Sequence, residues 1–205
     1  MVVIYNMNLK EKDKKLKQVK ERVIKCKNCS LYKTRKLPVI GQGNHNASIL
    51  FIGEAPGKNE DATGVPFCGR AGNILTKLLE HINLKREDIY ICNILKCRPP
   101  SNRNPLAKEI KVCSTYLKEQ IKIIKPRVIC TLGNFATKFI FANWGLEDKI
   151  QGISRIHGQV SDVPVEHKEK GADKIIALYH PAVATYNAKM KQTLKKDFEI
   201  LKKFK

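Results

Sequence analysis

The chain has 205 residues, and 39 Lys and Arg against 19 Asp and Glu leave it with a formal charge of +20. Its 42% hydrophobic content includes no apolar run long enough to span a bilayer, which excludes a helical membrane protein, and the length suits one domain, residues 1–205, with a core of its own. The charge favours a polyanionic partner, with a lysine-rich surface adapted to heat as the plain alternative.

Met1-Val2-Val3-Ile4-Tyr5 is too short for the apolar segment of a secretory signal, so the expected compartment is the cytoplasm, in association with the nucleoid if the partner is DNA. Seven cysteines, an odd number in a reducing compartment, weigh against a disulfide framework and point to metal or cluster ligation.

In chain order, Leu16, Val19 and Val23 recur at helical spacing among lysines and predict an amphipathic helix over Leu9–Lys25, ended by Cys26. Pro38 to Asn46 reads as a loop, and Ser48 to Ile52 as a core strand, continuously apolar as a strand covered on both faces would be. That strand runs into Gly53-Glu54-Ala55-Pro56-Gly57-Lys58-Asn59-Glu60-Asp61, a turn of Gly and Pro followed by carboxylates, where an open α/β sheet places a ligand. Asp61 to Gly72 is expected to be a second loop, and Ala71 to Ile82 a helix with Ile74, Leu75, Leu78 and Leu79 inward.

Ile89 to Leu95 is the second strand; Cys97-Arg98-Pro99-Pro100 and the polar turn to Pro105 interrupt the chain before a helix over Leu106 to Ile124. Val128 to Leu132 is the third strand, stopped at Gly133, with Asn134 placed to cap a short helix reaching Phe141. Scattered Gly and Pro from Asn143 to Asp173 predict loops and at most one hairpin. Ile175 to Tyr179 is the last strand, leading to His180-Pro181-Ala182, and a basic helix over Asn187 to Phe204 closes the chain. Strands alternating with helices predict a three-layer α/β/α sandwich with a mostly parallel central sheet.

The carboxyl ends of parallel strands share one edge, so Glu54 with Glu60, Asn93 and His180 can converge despite their separation in sequence. Either carboxylate could position a water, and the N–H groups of Ala55 and Gly57 are available to an acceptor oxygen. The Asn93 amide offers one acceptor and two donors, suited to the edge of a base. Phe67 could stack on a planar ligand or anchor its loop, and His180 could donate to an oxygen that gains negative charge.

Cys26 and Cys29, with two residues between them, can reach one metal centre from a single turn. Cys97 and Cys113, with fifteen residues between them, lie beside Lys- and Arg-rich segments, a setting expected to lower thiol pKa. Cys92 and Cys130 read as small buried hydrophobes within strands, and Cys68 is ambiguous. On spacing alone, structural zinc and an iron–sulfur cluster stand equal.

Taken together, Gly53-Glu54-Ala55-Pro56-Gly57 with Glu60-Asp61, Gly64-Val65-Pro66-Phe67-Cys68-Gly69-Arg70-Ala71-Gly72, Asn93-Ile94-Leu95-Lys96-Cys97-Arg98-Pro99-Pro100 and His180-Pro181-Ala182 resemble the family 4 uracil-DNA glycosylases over about residues 20 to 200. The resemblance implies the fold of that superfamily, hydrolysis of the N-glycosidic bond of uracil in DNA, and a [4Fe–4S] cluster on Cys26, Cys29, Cys97 and Cys113. It implies that Glu54, Ala55, Pro56 and Gly57 hold uracil and the attacking water, that Phe67 stacks on the base, that Asn93 reads its edge and that His180 faces its O2. Glu54 is expected to make the contact and Glu60 to support it. Arg70, Arg98 and Arg103, which flank these motifs, are expected to grip phosphates.

The sequence departs from the family pattern at Cys68, where an apolar residue is usual, and at Val183-Ala184-Thr185-Tyr186, where a leucine-bearing wedge is expected. Family members also engage the sliding clamp, but Gln192 to Phe198 carries the right residue types in the wrong register. A monomer acting on uracil-containing DNA is the expected form. The rivals are a catalytically silent DNA-binding protein of the same fold and a glycosylase for another deaminated base.

Overall fold

A computed structural model describes residues 7–205, so the reading of Met1 to Tyr5 lies outside the described residues. Six strands form one sheet: β1 (Gln42–Gly43), β2 (Ile49–Gly53), β3 (Tyr90–Asn93), β4 (Val128–Leu132), β5 (Val160–Asp162) and β6 (Lys174–Leu178), in the order β1-β3-β2-β4-β6-β5. The four central strands are parallel, and the short edge strands β1 and β5 are antiparallel to their neighbours. Short antiparallel edges limit the template offered to other chains.

Strand alternation divides the core in two. Leu50, Ile52, Cys92 and Ile129 pack with Leu16, Val19 and Val23 of α1 (Leu9–Lys25), with Leu117 and Ile121 of α4 (Ala107–Ile124), and with Ala136 and Ile140 of α5 (Asn134–Asn143). Ile49, Phe51, Ile91 and Cys130 pack on the other face with Leu75 and Leu79 of α3 (Arg70–His81) and Leu194 and Phe198 of α8 (Met190–Glu199). The result is the expected α/β/α sandwich, and Cys92 and Cys130 are buried within it. Each aliphatic side chain so enclosed contributes about 1.5–3 kcal/mol.

The amino-terminal helix has the predicted bounds and is opened by a capping box between Asn8 and Glu11. One of its lysines is not a solvated-face residue. Lys12 is buried and donates from Nζ to Asn46 Oδ1 at 2.7 Å and to the Ile124 carbonyl at 2.8 Å, fastening α1 to the end of α4.

Several boundaries differ from expectation. The expected loop at Pro38 to Asn46 contains β1, which two residues of pattern could not reveal. The expected loop at Asp61 to Gly72 is helical at both ends: α2 (Lys58–Thr63) stops at Gly64 in the left-handed conformation, and α3 already begins at Arg70. Ile74 is half-buried and packs at the margin of the core that Leu75, Leu78 and Leu79 enter. Asn134 does not cap α5; Gly133, at φ 90°, holds the cap position, and the Asn134 side chain accepts instead from the Ile153 N–H at 2.7 Å. The closing helix expected over Asn187 to Phe204 is divided into α8, which begins at Met190, and a terminal 3₁₀ turn, and a short α7 (Val183–Tyr186) precedes it. The obscure middle segment contains α6 (Ile153–Ile156) and β5, whose pairing with β6 is the one hairpin-like element there. Leu194 and Phe198, within the segment weighed as a clamp motif, are wholly buried in the core.

Among the described residues no helix is long and apolar enough to cross a membrane.

Candidate active site

The carboxyl ends of β2, β3, β4 and β6 bring the polar motifs to one edge. Gly53 is paired with Asn93 across β2 and β3, and the chain beyond continues the ladder: Ile94 N–H donates to the Gly53 carbonyl at 2.9 Å and Leu95 N–H to the Glu54 carbonyl at 3.1 Å. A Cβ on Gly53 would overlap Asn93 Oδ1 and lie 2.8 Å from Phe67 Cζ, so glycine is what admits the amide and the ring side by side. Gly72 does the same for the other side of Phe67, because a Cβ there would overlap the Phe67 carbonyl.

Phe67 has φ of 50°, a conformation an aromatic residue rarely adopts. It turns the ring toward His180, with centroids 5.7 Å apart and planes inclined by 31°. His180 also packs on Gly133, where a Cβ would sit 3.2 Å from that of the histidine. The Ala182 N–H donates to His180 Nδ1 at 3.2 Å, which makes Nδ1 the acceptor and leaves the proton of a neutral ring on Nε2. Burial pushes this imidazole below its ordinary pKa, against a smaller opposing pull from Glu60.

The two carboxylates differ. Glu54 is half-buried and burial raises its pKa; among the described residues its side chain makes no hydrogen bond. Glu60 accepts from Gly57 N–H at 3.1 Å, Cys68 N–H at 3.0 Å and Gly69 N–H at 3.1 Å, closing the Glu54 turn onto the Phe67 loop. The Gly57 N–H expected to face a ligand is therefore already taken. Charge-assisted bonds of this kind contribute about 1.5–3 kcal/mol each. Glu60→Ala is expected to lower the melting temperature and raise KM more than it lowers kcat, measurable by thermal denaturation and steady-state kinetics.

Asn93 is 2% exposed. Its carbonyl accepts from Lys96 Nζ at 2.8 Å, yet among the described residues its side-chain amide has no partner. Its atoms are not fully enclosed, so the amide is open to a ligand's donors and acceptors.

Of the three arginines expected on phosphates, Arg70 is exposed at the start of α3. Arg98 is half-buried and donates from Nε to Asn102 Oδ1 at 2.7 Å. Arg103 is committed elsewhere: its two terminal nitrogens lie 2.9 and 2.6 Å from the carboxylate of Glu109, a wholly buried side chain that also accepts from Leu106 N–H at the start of α4. Arg103→Ala is expected to lower the melting temperature while leaving the salt dependence of DNA binding unchanged, since a phosphate contact would carry a share of that slope.

Cys26, Cys29, Cys97 and Cys113 line one pocket between the end of α1 and the side of α4. Among the described residues no three of His, Cys, Asp and Glu converge as ligands of one metal ion. Arg35 Nη1 donates to Cys97 Sγ at 3.1 Å and Lys96 N–H to Cys113 Sγ at 3.2 Å. The expected lowering of thiol pKa is reversed: burial pushes Cys97 up and Cys113 up to about 12, with the nearby cations offsetting only part of it. Arg35 and Lys96 were not singled out in the sequence, where each is one basic residue among many.

The chain resembles known proteins along most of its length. A family model described as the uracil DNA glycosylase superfamily matches residues 40–202. A type-4 uracil-DNA glycosylase of Archaeoglobus fulgidus is 44% identical over 184 residues, covering 90% of this chain and 90% of its own length. Others named as type-4 uracil-DNA glycosylases, from Sulfurisphaera tokodaii and Thermotoga maritima, are 43% and 40% identical, covering 90% and 91% of this chain and 82% and 92% of their own lengths. The chain belongs to the uracil-DNA glycosylase superfamily and, within it, to the type-4 family.

Proposed function

We propose that this protein is a DNA repair enzyme that hydrolyses the N-glycosidic bond of uracil in DNA, releasing the base and leaving an abasic site. The observation that carries the reading is the side-chain amide of Asn93, without a partner among the described residues, beside the Phe67 ring that in turn faces His180. That amide can donate to uracil O4 and accept from N3–H, a pattern that cytosine reverses. Phe67 stacks on the base and bars a 5-methyl group, while the Glu54-Ala55-Pro56-Gly57 turn encloses it with small side chains.

Cleavage leaves negative charge on the base and positive charge on the sugar. His180 donates from Nε2 to uracil O2 as that charge grows, and Glu54 holds the water that attacks the sugar carbon. Glu60 is the brace that positions Glu54 and Phe67. Outside the stack the nucleotide must be held by its phosphates, for which Arg70, exposed and without an ion pair among the described residues, is available.

The four cysteines suit a [4Fe–4S] cluster better than one ion, because each iron takes one thiolate and the sulfurs need not meet at a point. Two N–H donors already aimed at sulfur fit the same group. When bound, the cluster supplies bracing between α1, the Arg98 loop and α4. Cys97→Ser is expected to abolish the visible absorbance, reduce iron content and lower the melting temperature; unaltered iron would show this ligand set to be wrong.

The activity is tested by incubating the protein with a single-stranded oligonucleotide carrying one uracil and treating with alkali. Strand breaks at the uracil are expected, with far fewer at hypoxanthine or at thymine mismatches. An absence of breaks at enzyme excess would overturn the enzyme reading.

A further inference from the structure

Lys96 is a charged residue inside the core. It is 1% exposed, and among the described residues the Asn93 carbonyl, at 2.8 Å, is the one acceptor for its ammonium. Enclosing an ammonium is unfavourable unless opposite charge lies near. No carboxylate pairs with it among the described residues.

The remaining candidate for counter-charge is the cysteine pocket, which Lys96 lines beside Cys97 and touches through its own N–H on Cys113 Sγ at 3.2 Å. A cluster held by four thiolates is anionic. Lys96 therefore meets the cysteine pocket with its main chain and the strand end bearing the unpartnered amide with its side chain, all within the turn from Asn93 to Cys97.

We propose that Lys96 is a positioning residue that couples occupation of the cysteine site to placement of the Asn93 amide against the base. This rests on the cluster and uracil readings above. With the cluster bound, the ammonium is compensated and stays hooked on the Asn93 carbonyl. Without it, the uncompensated ammonium moves toward water and releases that carbonyl, and the amide loses its fixed position. Coupling of this kind is reciprocal, so a base bound at Asn93 holds the hook closed and slows loss of the cluster.

The test uses the wild-type holoenzyme and follows visible absorbance as a chelator removes iron. Saturating free uracil is expected to slow the loss by about fivefold or more, the lower end of typical coupling. Abasic-site DNA, which brings phosphates but no base to Asn93, should leave the rate unchanged. In Lys96→Met the protection by uracil should vanish, and the inhibition constant for free uracil should rise by a similar factor with a smaller change in kcat. An unprotected wild type, equal protection by abasic-site DNA, or protection retained in Lys96→Met would each overturn the proposal. If Lys96→Met does not fold, the two wild-type comparisons decide alone. Wild type purified without iron would sink the cluster reading and this proposal with it, whereas iron-loaded protein inhibited by uracil but not protected by it would sink this proposal only.

Discussion

Glu54→Gln is expected to slow single-turnover excision by about 10²–10⁴-fold, the range for loss of a positioned acid or base. Binding of uracil-containing DNA should be preserved, since the amide keeps the volume and Glu60 keeps the turn closed. Burial raises the Glu54 pKa, so the wild-type rate should fall on acidification through a value above the ordinary carboxylate range. The variant should lack that acidic limb.

The same burial gives an effect of opposite sign on stability. A carboxylate whose folded pKa lies above its unfolded value contributes no penalty while both states are protonated. As pH rises past the unfolded value the unfolded chain ionises first, and the penalty is complete above the folded value. Glu54→Gln should therefore melt higher than wild type at neutral pH and equally at low pH. A variant with nearly unchanged single-turnover rate would remove Glu54 from the chemistry.

The four central strands were readable because they are almost continuously apolar, and two of them end at glycine, Gly53 and Gly133. Val128 to Leu132 stops at Gly133 for a reason visible in both sequence and structure: the next residue needs φ of 90° and close approach to His180. The convergence of strand ends followed from parallel order alone. Where the structure departs from the reading, residue type and spacing did not say which partner a side chain would take. Arg103 pairs with Glu109 six residues on, and Asn134 with the Ile153 N–H nineteen residues on.

Glu60 illustrates the same limit at the site. Its place in a turn with Glu54 made the two carboxylates look alike, yet three N–H groups, two of them from Cys68 and Gly69, set it apart. Phe67 was legible as a site aromatic but not as a strained one, with φ of 50° and its carbonyl against Gly72 of α3. The basic surroundings of the cysteines misled in another way. Sequence reports nearby charge but not depth, and here burial outweighs the cations for Cys97 and Cys113.

His180→Ala is expected to lower kcat by about 10²–10³-fold, as loss of one donor to a developing anion does. KM should change little, because the bond strengthens only as charge grows on the base. The neutral ring is central to this expectation. Nδ1 accepts from the Ala182 N–H, burial lowers the pKa, and the donor left over is Nε2–H, a neutral group that needs no protonation to act. Wild-type activity should then persist through neutral and mildly alkaline pH without a descending limb at the ordinary histidine value. A rate that fell on alkalisation near that value, and lost that limb in His180→Ala, would mean that an imidazolium does the work and that the Ala182 contact is broken when DNA binds.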